Sequence, residues 1–119
     1  MHFDKVGFIG LGLIGGSIAR KMKENNPKVS IIATAGHQQT IEDAFGLGLI
    51  DNNELLELNS FKDCDVIFLC APVNKNIEYL TRLKDIIKDD CIITDVGSSK
   101  NKIHEKVTEL GLERNFIGG

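Results

Sequence analysis

The chain has 119 residues, 42% of them hydrophobic and 26% charged, with a formal net charge of −3, the balance of an ordinary globular protein of about one domain. It has no basic excess to hold a nucleic-acid backbone, no apolar run near the ~18 residues of a membrane span, and a start, MHFDKV, unlike a signal peptide. We therefore expect a cytoplasmic protein without nucleic-acid or membrane partners. Cys64, Cys70 and Cys91 lack CxxC spacing and lie in or beside apolar runs, which reads as buried reduced thiols, and no metal-ligand spacing occurs.

The first apolar run, residues 6–9, reads as a strand and feeds directly into Gly10-Leu11-Gly12-Leu13-Ile14-Gly15. In a GxGxxG turn between a strand and a helix, the first glycine permits the tight turn, the second a close approach to a pyrophosphate, and the third close packing of helix on strand. The diphosphate then sits on the free N–H groups of the helix N-terminus, where the dipole favours negative charge.

A helix is predicted over residues 14–25, with Ile14, Ile18 and Met22 as its apolar stripe and Pro27 beyond its end. A strand follows at 29–32, then a helix from Gln38 or Thr40 to Phe45, punctuated by Gly46 and Gly48, and a short helix over 53–58. The run 65–70 is the next strand, and Ile77, Leu80, Leu83 and Ile87 mark a helix over 74–88. A strand at 91–94, a helix from near Ser98 carrying Ile103, Val107 and Leu110, and a short strand at 115–117 complete the pattern. This alternation predicts an α/β fold, a doubly wound, Rossmann-like parallel sheet in a single dinucleotide-binding domain over residues 1–119. The last residues, Phe116-Ile117-Gly118-Gly119, read as a strand entering a turn that the chain does not complete, so we expect a portion of a longer protein.

In such sheets ligands bind outside the carboxyl ends of the strands, which selects the glycine turn and three further loops. In the second loop, an acidic residue about 20 positions beyond the glycines normally accepts hydrogen bonds from the ribose hydroxyls of NAD. Here that position is Ala35, within Thr34-Ala35-Gly36-His37-Gln38-Gln39-Thr40, and no carboxylate occurs before Glu42. Loss of the acid removes repulsion toward a 2′-phosphate, and the Thr34 and Thr40 hydroxyls, the Gly36 backbone, the Gln38 and Gln39 amides and His37 offer donors, so the reading leans to NADP over NAD. No Arg lies between Arg20 and Arg82, however, and His37 reads equally well as a solvated loop histidine. The third loop, Cys70-Ala71-Pro72-Val73, is small and rigid and suits packing along the ribose and nicotinamide. The fourth, Asp95-Val96-Gly97-Ser98, offers Ser98 either as a helix N-cap or as a hydrogen-bonding group for substrate or a catalytic partner. Asp95 reads as a buried residue tying down the turn, while Asp63 and Asp65 read as solvated turn residues.

Taken together, GFIGLGLIGGSIA at 7–19, AFGLGLID at 44–51, DVIFLCAPV at 65–73, TDVGSSK at 94–100 and FIGG at 116–119 resemble the nucleotide-binding domain of prephenate and arogenate dehydrogenases. The resemblance spans nearly the whole chain in order. It implies an oxidoreductase of tyrosine biosynthesis that oxidises and decarboxylates prephenate, or arogenate, with NAD or NADP. It also implies cofactor contacts at Gly10, Leu11, Gly12, Leu13, Ile14 and Gly15, in the 34–37 loop, and at Ala71, Pro72 and Val73, with Ser98 positioning the substrate hydroxyl or its catalytic histidine. In that family a His-Pro motif follows FIGG, and a helical second domain supplies a substrate-binding arginine and the homodimer interface. The isolated chain is accordingly expected to bind cofactor without turnover. Two alternatives remain at this point: the cofactor domain of another two-domain dehydrogenase, of the β-hydroxyacid or pyrroline-carboxylate reductase type, or a non-catalytic nucleotide-sensing module.

Overall fold

Residues 3–96 and 100–117 are described by the computed structural model, and their β-branched runs form parallel strands. β1 (Lys5–Ile9), β2 (Ser30–Thr34), β3 (Val66–Leu69), β4 (Ile92–Asp95) and β5 (Phe116–Ile117) make a sheet in the order β2-β1-β3-β4-β5. The helices between them are α1 (Leu13–Asn25), α2 (Gln38–Gly46), α3 (Val73–Leu83) and α4 (Lys100–Leu110), with a 3-10 turn at Leu58–Phe61. The chain leaves β1 for β2 on one side and returns for β3 on the other, so the strand order reverses between β1 and β3. That reversal is the place where open sheets of this kind form a crevice.

Alternation along the strands builds a core on each face, because successive side chains point to opposite sides. Ile9, Ile67, Leu69 and Ile93 pack with Leu80 and Leu83 of α3 and Ile103 and Val107 of α4. On the other face Val6, Phe8, Ile31 and Ala33 pack with Ala19 of α1 and Ile41 and Ala44 of α2. The Ile103, Val107, Leu110 stripe is therefore a core face, as its spacing predicts. In α1 the stripe is shifted: Gly15 and Ala19 are buried, Ile18 and Met22 are half-buried, and Ile14 is exposed.

Two predicted helices differ from the structure. The expected helix over 53–58 is an irregular segment, with only the 3-10 turn at its end. Asp51 and Asn52, the two residues that lead into it, are held on the open edge of β2, and Gln38 of α2 takes backbone groups of the segment itself. Asp51 N–H donates to the Ile31 carbonyl (2.7 Å) and the Asp51 carboxylate accepts from Ile31 N–H (2.7 Å). The Asn52 amide brackets Ala33, accepting from its N–H and donating to its carbonyl, both at 2.9 Å, and Gln38 bonds Asn53 and Leu55 backbone groups. A sheet edge left unpaired is costly, and covering it outweighs a short helix that is marginal on its own. The other difference is α3, which stops at Leu83 rather than near 88. Ile86 and Ile87 N–H both donate to the Leu83 carbonyl (2.9 and 3.0 Å), closing the helix in a tight turn, and Lys88 leaves it to pair with Asp65.

Gly7, in the middle of β1, has a packing role that its sequence context does not reveal. A Cβ there would lie 2.5 Å from Cδ2 of Phe61 and 3.0 Å from Sγ of Cys64. Phe61 is fully buried, so its ring cannot swing into solvent. Gly7→Ala is therefore expected to cost about 1 to 2 kcal/mol by overpacking, read as a lower denaturant midpoint with an unchanged slope.

The thiols behave as buried core groups. Cys64 and Cys91 are buried and Cys70 half-buried, none in a disulfide. Burial pushes the Cys64 and Cys91 thiols up to about 12 and Cys70 up to about 11, which keeps them protonated and poorly nucleophilic. Among the described residues no group of three His, Cys, Asp or Glu side chains is placed to hold a metal ion, and no helix is long and apolar enough to cross a membrane.

Candidate functional site

The loops selected by the sequence meet along one edge of the sheet. Gly10 N–H donates to the Thr34 carbonyl (2.9 Å), Cys70 N–H to the Ile9 carbonyl (2.8 Å) and Val96 N–H to the Leu69 carbonyl (3.0 Å). The sheet ladder thus continues one residue past the strands and laces the four loops together at the switch point.

The three glycines of the turn have three different surroundings. Gly10 has φ +79°, and a Cβ there would stand 2.7 Å from Ala71 N, so the first loop and the third touch through backbone. At Gly15 a Cβ would meet Sγ of Cys70 at 3.2 Å, the close helix-to-strand packing expected of the third glycine. Gly12 has no atom within 4 Å of its would-be Cβ and faces open space. It is also the N-cap of α1, with no side-chain cap and no acidic residue in the first turn. The N–H groups that begin an α-helix have no intrahelical acceptor. Those of α1 are left to a ligand or to water, in a positive dipole end over an open floor. Leu13 and Ile14, next in the turn, are 93% and 55% exposed.

In the second loop Thr34 is buried and its hydroxyl donates to the Leu56 carbonyl (3.2 Å). Ala35 is half-buried, and Gly36 and His37 are exposed, with His37 at the N-cap of α2 making no side-chain cap bond. Thr40, in the first turn of α2, lines a cleft of about 290 Å³ together with Leu11, Gly12 and Leu13. The glycine turn and Thr40 therefore line one cleft.

Within the third loop Ala71 is half-buried, Pro72 exposed, and Val73 opens α3. Asn76, which sequence reading passed over, holds this loop. It is fully buried, its Oδ1 accepts from Ala71 N–H (3.2 Å), and its Nδ2 donates to the Ala71 carbonyl (2.8 Å). A buried amide that brackets one residue fixes the backbone which Gly10 must approach. The only advance signal was an Asn in the first turn of an otherwise amphipathic helix.

Asp95 closes β4 and is 3% exposed, as expected for a buried residue, and among the described residues its Oδ2 has no hydrogen-bond partner. Ser98, the candidate catalytic residue, lies outside the described residues. Asp65 is not the solvated turn residue expected: its Oδ2 accepts from Asp4 N–H (2.8 Å) and Lys5 N–H (3.1 Å), and its Oδ1 pairs with Lys88. A second groove of about 410 Å³ runs beside Thr34, between Leu56, Asn59, Tyr79 and Arg82. Sequence reading did not assign it, because its walls come from separate elements.

Comparison with known proteins places this arrangement. The family described as "Prephenate dehydrogenase, nucleotide-binding domain" matches residues 18–119. A prephenate dehydrogenase of Lactococcus lactis is 35% identical over 119 residues, covering 97% of this chain and 33% of the relative. The crystal structure of prephenate dehydrogenase from A. aeolicus in complex with hydroxyphenyl propionate and NAD+ superposes with a TM-score of 0.86 at 27% identity, over 99% of this chain and 41% of that one. Synechocystis arogenate dehydrogenase superposes with a TM-score of 0.81 at 32% identity, over 96% and 39%. The chain spans about a third of the length of the curated relatives it matches. It belongs to the prephenate dehydrogenase nucleotide-binding domain family.

Proposed function

We propose that the chain is the cofactor-binding part of a dehydrogenase that oxidises and decarboxylates prephenate or arogenate, and that it binds NAD(P) across the switch point between β1 and β3. The observation that carries this reading is Gly12: an uncapped helix start facing open space, beside a Gly10–Ala71 contact. The residues present fit a dinucleotide. The amides of Leu13, Ile14 and Gly15 would bind the diphosphate, and the 34–37 loop and Thr40 would hold the adenosine ribose. The groove between Leu56 and Tyr79 offers a flat base an aromatic and aliphatic seat. Ala71 and Pro72, fixed by Asn76, would line the nicotinamide side. When bound, the nicotinamide serves as hydride acceptor. Ser98, just beyond β4, is proposed to orient the substrate hydroxyl or the base that takes its proton.

Because this chain spans a third of its relatives' length, the substrate arginine, the catalytic base and the homodimer interface are proposed to lie in sequence beyond it. The lean is to NADP, supported by Ala35 at the position where NAD sites place an acid.

Calorimetric titration with NADP+ and NAD+ at one salt and pH tests the reading. Saturable binding of one of them, without turnover when prephenate is added, is the expected result. Absence of binding to both would overturn it.

A further inference from the structure

The 34–40 segment contains no arginine or lysine to meet a 2′-phosphate. The structure supplies one from a different element. Arg20, on the second turn of α1, lines the cleft of about 290 Å³ that also holds Gly12, Ser17 and Thr40. Side chains on a helix lean toward its N-terminus, so an arginine here leans toward Gly16 and the glycine turn rather than away from it. No carboxylate lines the cleft. The acids of α2 are placed elsewhere: Glu42 and Asp43 are exposed, and Asp43 accepts from the Gln39 amide (2.7 Å). Among the described residues, the ion pairs involve Lys23, Lys75, Lys88 and Lys106, and Arg20 has no carboxylate partner. The floor of the cleft is apolar, from Leu11, Ala44 and Leu49, which screens a charge pair less than open water does.

We infer that Arg20 is the specificity-determining cation for the 2′-phosphate of NADP, acting across the α1–α2 cleft with the Thr40 hydroxyl. This rests on the dinucleotide reading above and adds to it the residue that selects between the two cofactors. A phosphate monoester carries close to two negative charges at neutral pH, and the planar guanidinium fork can meet two of its oxygens at once, which an ammonium cannot. It also accounts for the absence of an arginine after β2, where sequence reading looks for it. The charge comes from the helix beside the loop, five positions beyond Gly15.

The test is calorimetric titration of the wild-type chain and of Arg20→Gln and Arg20→Lys with NADP+ and NAD+. Wild type is expected to bind NADP+ at least ~10-fold tighter than NAD+, by the differential worth of a charge-assisted pair. Arg20→Gln should lose that ~10-fold for NADP+ and change NAD+ less than ~2-fold, with Arg20→Lys between them. Raising the salt should erode the wild-type preference and leave the Gln variant unmoved. Glutamine is as good a helix former as arginine at an exposed site, and retained NAD+ binding reports an intact fold. An NADP+ to NAD+ ratio that neither variant changes would overturn the role of Arg20 while leaving the dinucleotide site standing. Equal loss of both nucleotides without a shift in melting would overturn it too. Failure of the wild-type chain to bind either nucleotide would overturn both readings.

Discussion

Gly12→Asp is expected to abolish dinucleotide binding, by ~100-fold or more, while leaving the fold as stable as before or slightly more so. Two opposite effects meet at this residue. Aspartate is among the best N-cap residues, a few tenths of a kcal/mol better than glycine, and a carboxylate at a helix start is favourable with the dipole. The backbone accepts it, since Gly12 has φ −103° and ψ −160°, and no atom within 4 Å opposes the new Cβ. Yet the carboxylate would take the first-turn N–H groups proposed for the diphosphate and repel its charge. A ~100-fold loss corresponds to about 2.7 kcal/mol, modest for replacing an anion's donors with a fixed anion.

Gly10→Ala should do the reverse, damaging the fold first. At φ +79° an L side chain is strained, and its Cβ would press on Ala71 backbone at 2.7 Å, together costing about 3 kcal/mol. Thermal unfolding and titration, run on both variants, separate the two. If Gly12→Asp bound the dinucleotide like wild type, the anion site would not be at α1.

This contrast also shows what a sequence makes legible. The surroundings of Gly10, in a left-handed turn against Ala71, and of Gly15, against Cys70, are those that a tight turn and a close helix-to-strand approach imply, and Gly12 faces open space. The strands were legible for a similar reason: a buried parallel strand is a short β-branched run, and α/β alternation then dictates the layers. Gly7 was opaque because the group that forbids a side chain there, Phe61, is distant in the chain. Asn76 and Arg20 were opaque because a polar residue on a helix reads as solvated until the loop or cleft beside it is known. The segment 53–58 was misread because local propensity cannot anticipate that Asp51 and Asn52 will be drawn to the edge of β2.

Asp65 belongs with these, and replacing it is expected to cost stability. Its two oxygens tie three segments: the start of β1 through Asp4 and Lys5 N–H, the start of β3 through its own backbone, and the approach to β4 through Lys88. Asp65→Ala should therefore cost about 1 to 2 kcal/mol at neutral pH, mainly because it leaves the part-buried Lys5 N–H without its acceptor, the exposed Lys88 pair adding little. For a domain of this size that is a fall in melting temperature of roughly 5 °C.

The pH dependence has a definite sign. The Lys88 ammonium, which donates to Asp65, holds its carboxyl below the usual carboxylate range; burial opposes this, and the N–H groups of Lys5 and Asp4 reinforce it. A depressed folded-state value means that the contribution is complete above the unfolded value of about 3.9 and is lost as pH falls through the folded one. Wild type should thus hold its melting temperature down to about pH 5 and lose it below about pH 4. Asp65→Asn keeps an acceptor oxygen but no charge, so it should begin lower at pH 7 and fall less steeply in acid. Parallel acid limbs in the two proteins would mean that another carboxylate, not Asp65, governs acid unfolding.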